Sequence, residues 1–150
     1  MFNKLYMQEA LLEAEKAFEK GEVPIGAVVV YGGKIIARAH NLREERNDPT
    51  AHAEILAIQE AAQNIKSWRL KGAAMYVTLE PCPMCAGALV QARIDTLVFG
   101  AWDGKAGAAG TLLDITNFPG FNHQLKVFGG VMEQECQEIM RRFFSRLRRN

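Results

Sequence analysis

Two cysteines, one histidine and one glutamate are the residues of this chain best placed to do chemistry. Cys82 and Cys85 stand three apart in Glu80-Pro81-Cys82-Pro83-Met84-Cys85, and His52-Ala53-Glu54 lies upstream. On a helix, residues three apart project from one face. A helix N-terminus lowers thiol pKa, and the thiolate is the form that binds metal. If each motif opens a helix and the two helix starts lie side by side, His52, Cys82 and Cys85 can surround one ion. Three protein ligands leave a position for water, which is the pattern of a catalytic rather than a structural zinc. Glu54 lies two residues beyond His52 and can reach the same point above the helix end. A carboxylate there can take a proton from water and deliver it to a ring nitrogen and a leaving amine.

Each piece alone says less. A lone CxxC is equally a dithiol redox pair or half of a structural zinc site. A lone His-x-Glu carries no signal. Both motifs sit at strand–helix boundaries and Pro81 precedes the first cysteine, so together they favour a catalytic centre holding one zinc. A redox protein using Cys82 and Cys85 would leave His52 and Glu54 without a task. A non-catalytic zinc module that binds RNA would have no use for Glu54. Cys136 has no partner in the sequence and is expected to be a buried, inert thiol. His40 and His123 are expected to be structural.

The elements that must position these residues alternate between helix and strand. Residues 3–20 predict an amphipathic helix, with Leu5, Ala10, Leu12, Ala14, Ala17 and Phe18 near helical spacing and Gly21 ending it. The β-branched run at residues 25–30 predicts a buried strand, and Gly32-Gly33 a hairpin turn into a return strand at 35–39. Residues 41–48 read as a polar loop. Thr50 is expected to cap a helix running to Ala62. A second apolar strand spans 73–79, and Pro81 suits the first turn of the helix after it, which runs to about Ala92. A third strand covers 95–100. Beyond it come a small-residue loop containing Gly104, Gly107 and Gly110, an irregular stretch to 122, a short strand at 126–128, and a final helix over 133–147. Strands separated by helices imply an α/β fold in one domain over residues 1–150, with a mixed sheet reached through helical crossovers.

Bulk composition excludes several classes. The 150 residues carry a net charge of +1, with 49% apolar and 23% charged, so a core can form without disulfides. No apolar run is long enough to span a membrane. The acids in the first twenty residues argue against a signal peptide, and three cysteines without one favour reduced thiols in the cytoplasm. The net charge gives no whole-molecule case for nucleic-acid binding. The stretch 140–150 is locally basic, with Arg141, Arg142, Arg146, Arg148 and Arg149 and no acid.

His52-Ala53-Glu54 with Pro81-Cys82-Pro83-Met84-Cys85 resembles the zinc-dependent nucleobase deaminases. Asp48-Pro49-Thr50-Ala51-His52-Ala53-Glu54, Thr78-Leu79-Glu80-Pro81-Cys82 and Gly107-Ala108-Ala109-Gly110 together resemble the branch of bacterial tRNA-specific adenosine deaminases. That resemblance covers nearly the whole chain. It implies a three-layer α/β/α, cytidine-deaminase-like fold with about five strands, a homodimer, and one zinc per subunit on His52, Cys82 and Cys85. It implies hydrolysis of adenosine to inosine at the wobble position of a tRNA anticodon, with Glu54 shuttling protons. By position it makes Asn41 a base contact, whose amide offers both a donor and an acceptor. It places the Ala53 backbone and the Leu79 side chain in the pocket wall. Asp103 and Lys105 match the family's RNA contacts, and Phe144 and Arg148 are candidates for stacking and phosphate pairing with the anticodon stem-loop. Of Phe143 and Phe144, only one should face inward. The alternative within the same chemistry is a deaminase of a free base or nucleoside, guanine or cytidine.

Overall fold

The computed structural model describes residues 2–149. The elements run α1 (Lys4–Glu19), β1 (Gly26–Tyr31), β2 (Lys34–His40), α2 (Arg43–Arg46), α3 (Ala53–Ile65), β3 (Ala74–Leu79), α4 (Pro83–Gln91), β4 (Thr96–Ala101), β5 (Lys126–Phe128) and α5 (Glu133–Arg149). The hairpin forms as the two glycines require: Gly32 and Gly33 take φ of 60° and 75°, and Tyr31 pairs with Lys34. The sheet order is β2-β1-β3-β4-β5. β1 is antiparallel to both neighbours, while β3, β4 and β5 are mutually parallel.

Alternation along the strands builds two cores. Ala27, Val29, Met75, Val77, Leu97 and Phe99 point to one face and pack with Ala53, Ala57 and Ala61 of α3 and Leu89 and Val90 of α4. Val28, Val30, Tyr76 and Val98 point to the other, toward Met7 and Ala10 of α1 and Cys136 of α5. The result is the expected three-layer α/β/α architecture around five strands. Each fully buried Val or Leu in these layers contributes about 1.5–3 kcal/mol relative to exposure.

Several local expectations change. On α1 the buried stripe is Met7, Ala10, Ala14 and Ala17, whereas Leu5 and Leu12 are exposed, because they lie off that stripe. Thr50 does not cap α3. Its amide and hydroxyl both donate to Asp48 Oδ1, at 2.8 and 2.7 Å, closing a local turn, and His52 occupies the N-cap instead. At α4 the N-cap is Cys82 and the proline in the first turn is Pro83; Pro81 lies before the helix. The loop at 41–48 contains a one-turn helix, α2. Its exposed-end amides at Glu44 and Glu45 donate to the buried Glu22 carboxylate at 3.1 and 2.7 Å. Finally, the parallel β4–β5 crossover is not helical: among the described residues, 102–125 form turns and one isolated bridge, Ala109 with Asp114. Gly and Pro are frequent enough there to disfavour a helix.

Candidate active site

The site lies where β3 hands the chain to α4 and where the α2–α3 connection delivers His52. Two of the three candidate ligands are N-caps, with extended backbone at His52 (φ −75°, ψ 150°) and Cys82 (φ −74°, ψ 174°). Neither side chain caps its own helix. Each is therefore free to project beyond the helix end, and Cys85 joins Cys82 from the first turn of α4. The two thiols do not share a helical face as residues three apart would. Cys82 stands outside the helix and reaches across its mouth, in the way an N-cap side chain reaches the third helical residue.

Nδ1 of His52 lies 3.7 Å from Cys82 Sγ and 3.5 Å from Cys85 Sγ. In a tetrahedral centre with metal–sulfur bonds of about 2.3 Å and metal–nitrogen bonds of about 2.0 Å, such N···S separations are about 3.6 Å. The three donor atoms lie within 4.8 Å of one another, the arrangement a single ion needs. An imidazole and two thiols are also the donor chemistry that zinc favours.

The electrostatics divide the two cysteines. A hydrogen bond from Cys85 holds the Cys82 thiol down to about 4, against the effect of burial and with help from His52. Cys85 keeps that proton and is pushed far above the ordinary thiol value by sharing it with Cys82 and by burial. His52 is raised, chiefly by its hydrogen bond to Cys82. Glu54, second in α3 and only 4% exposed, is raised from 4.5 to about 7 by burial, with the Cys82 charge adding to the effect.

Around this cluster opens a cavity of about 670 Å³. Of the residues singled out from sequence, Asn41, His52, Glu54, Leu79, Cys82, Asp103, Lys105 and Phe144 all line it. Asn41 is 2% exposed; its Nδ2 donates to the Val23 carbonyl at 3.4 Å, and its Oδ1 is buried without a partner among the described residues. Phe143 is buried at 4% exposure and Phe144 is 41% exposed, so one of the pair faces inward as expected. Ala53 is fully buried in the α3 core and is not among the residues lining this cavity. Arg148 is exposed near the end of α5 and is not among the lining residues. Val23, Arg43 and Trp102 also line the cavity. Nothing in the local pattern of Val23 or Arg43 marks them, and the sequence leaves the role of Trp102, beside Asp103, open. Trp102 is held edge-on against Phe99, with ring centroids 4.8 Å apart.

The other polar candidates are structural. His123 Nε2 lies 2.7 Å from the Ile94 carbonyl, and His40 Nδ1 lies 2.9 Å from Glu13. Cys136 is fully buried, and burial pushes its thiol up to about 12.

Comparison with known proteins places this geometry. The family model of the MafB19-like deaminases matches residues 1–148. A tRNA-specific adenosine deaminase of Bacillus subtilis is 56% identical over 147 residues, covering 98% of this chain and 91% of that protein. The tRNA-specific adenosine deaminase of Aquifex aeolicus is 47% identical over 150 residues, covering 100% of this chain and 99% of that one. A solved structure from work on A-to-I editing by tRNA:A34 deaminases at the wobble position of transfer RNA superposes with a TM-score of 0.88 at 47% identity. That alignment covers 91% of this chain and 99% of the other.

Proposed function

The chain belongs to the MafB19-like deaminase family, among the tRNA-specific adenosine deaminases, and from that premise we propose how it deaminates adenosine to inosine at the wobble position of a tRNA anticodon. The observation that carries this reading is that one open cavity is lined by His52, Cys82 and Glu54, by Asn41, whose Oδ1 has no partner among the described residues, and by the 103–106 loop and Phe144. A base presented from a larger molecule can enter such a site while its neighbours remain on the rim. An anticodon loop is single-stranded, so taking a base out of its stack costs less there than in a duplex.

His52, Cys82 and Cys85 are the proposed ligands of one zinc ion, whose contribution when bound is to provide a water nucleophile at neutral pH. Glu54 takes a proton from the attacking water and delivers it to the purine ring nitrogen. It then takes the remaining proton of the added hydroxyl and passes it to the leaving amine. Water adds at the carbon bearing the amine, the C–N bond breaks, and inosine and ammonia leave. With its Nδ2 occupied by Val23, Asn41 presents Oδ1 as an acceptor for an N–H of the base. Leu79, Val23 and Ile25 form apolar walls for the ring. The α3 N-terminus at Ala53 supports the floor through its backbone. Asp103, Lys105 and Phe144 meet the flanking nucleotides, and Arg148 lies further out, where the phosphates of the stem would run. We further propose one deaminase domain over residues 1–150, a homodimer, and work in the cytoplasm. The kinship with bacterial tRNA enzymes supports all three. No described helix is long and apolar enough to cross a membrane.

Incubating the protein with an anticodon stem-loop and, separately, with free adenosine, guanine and cytidine tests this reading. Inosine forming in the stem-loop is the expected result. Turnover of free bases or nucleosides alone would replace it with the small-molecule alternative.

A further inference from the structure

Glu80 is a buried carboxylate for which the chemistry above has no use. It is 1% exposed, and among the described residues no basic side chain pairs with it. A carboxylate held so far from water must be compensated by hydrogen bonds. All of its compensation comes from one loop. Oε1 accepts from the Asp103 amide at 3.0 Å and from the Thr111 hydroxyl, and Oε2 accepts from the Ala109 and Thr111 amides, both at 3.0 Å. The loop closes over the carboxylate at Gly107, where a Cβ would overlap both the Glu80 carboxylate and the Asp103 carbonyl. Backbone bonds run alongside: Ala108 donates to the Pro81 carbonyl at 2.9 Å, and Glu80 donates to the Ala101 carbonyl at 2.8 Å.

The consequence reaches the cavity wall. Residues Asp103, Gly104, Lys105 and Ala106 of this loop form part of the cavity wall. Asp103 Oδ1 accepts from the Lys105 amide at 2.9 Å and the Ala106 amide at 3.3 Å. Once Glu80 fixes the Asp103 backbone, Asp103 fixes the backbone that carries Lys105. Two residues beyond Glu80 stands Cys82.

We infer that Glu80 is a positioning residue for substrate recognition, clasping loop 103–111 so that Asp103 and Lys105 stand at a set height above the reacting centre. The inference rests on the tRNA-deaminase reading. Glu80 belongs to the cavity lining but is almost wholly buried, with both carboxylate oxygens taken by loop donors, so it acts through the loop.

The test uses the full chain loaded with zinc and two variants, Glu80→Gln and Thr111→Val. The glutamine keeps the shape but turns an N–H toward donors that previously met oxygen. The valine removes only the hydroxyl bond and leaves the carboxylate with its three backbone donors. Three readouts are taken: KM and kcat on an anticodon stem-loop, zinc content, and amide hydrogen exchange at Asp103, Ala109 and Thr111. For Glu80→Gln, KM rises about tenfold, as expected for losing one charge-assisted hydrogen bond's worth of loop order. Meanwhile kcat falls less than about threefold, zinc is retained, and the three loop amides exchange faster while those of β1 and β3 do not. Thr111→Val raises KM by about threefold, and it decides the matter alone if Glu80→Gln does not fold. An unchanged KM in a folded variant whose loop amides exchange faster overturns the inference. So does a loss of zinc that accounts for the whole effect. A parent protein that leaves the stem-loop unmodified instead sinks the reading on which the inference stands.

Discussion

Replacing Glu54 with glutamine should separate chemistry from folding in opposite directions. The side chain is 4% exposed at the start of α3, beside Cys82, and burial lifts its carboxyl from 4.5 to about 7. A carboxyl raised in the fold binds more protons folded than unfolded between those two values, so stability falls as pH rises through that window. Each pKa unit is about 1.4 kcal/mol, which makes ionised Glu54 a burden on the metal-free protein of about 3 kcal/mol above pH 7. Glu54→Gln removes that burden while keeping the shape. The metal-free variant should therefore resist urea better than the metal-free parent at pH 8, and the two should converge below pH 4.5. Turnover moves the other way. General acid–base catalysis is worth about 10²–10⁴-fold, and this carboxylate serves more than one proton transfer, so the upper end of that range is expected. The assays are chelator-treated urea titrations at pH 4.5 and 8, with single-turnover deamination of a stem-loop by the zinc-loaded protein. Activity within tenfold of the parent would refute the proton-carrier role. Activity lost together with zinc would show that the substitution damaged the ligand set instead.

Other expectations follow from single contacts. His52→Ala removes one of three donors and should cut zinc retention after gel filtration, read by metal analysis; full retention would mean that His52 is not a ligand. Glu13 is 3% exposed, and although burial pushes its carboxyl up, hydrogen bonds from Lys16 at 2.7 Å and His40 at 2.9 Å outweigh that and hold it below 4.5. Its stabilising effect is present above pH 4.5 and fades as pH falls through the lower folded value, so Glu13→Gln should cost about 1.5–3 kcal/mol at pH 7 and flatten the acid limb of the stability curve. Equal acid sensitivity in variant and parent would contradict this. Phe143→Ala should cost about 3–5 kcal/mol by opening the α5 core. Phe144→Ala, at an exposed position on the cavity rim, should leave the melting temperature nearly unchanged and raise KM for the stem-loop. A reversed pattern would mean that the facing of the pair is wrong.

The clustering of His52, Cys82 and Cys85 was legible because the demands of a metal site are local. Zinc needs soft donors at short spacing, and Cys82, Cys85 and His52 each sit beside a change from extended to helical backbone that the sequence marks. The strands were legible from β-branched runs, and the hairpin from Gly32-Gly33. Caps were less so. Two prolines flank Cys82, and the preference for proline in a first turn cannot choose between them; the choice of Pro83 depends on where β3 ends and α4 begins, which the local sequence does not mark. Thr50 looked like a cap because nothing local showed Asp48 holding it. Glu22 and Glu80 were invisible for the same reason. A buried carboxylate is explained by its donors, and here all of those but the Thr111 hydroxyl are backbone amides, which carry no sequence signature. The non-helical crossover between β4 and β5 supplies the loop that Glu80 holds.

The most direct measurement is to treat bulk cellular tRNA lacking inosine with the purified zinc-loaded protein and sequence it, reading each adenosine that becomes inosine. Conversion confined to the wobble position of one or a few tRNAs, and absent with Glu54→Gln, is the expected result. No conversion in tRNA alongside deamination of free nucleosides, or conversion scattered over loops without regard to the anticodon, would contradict it.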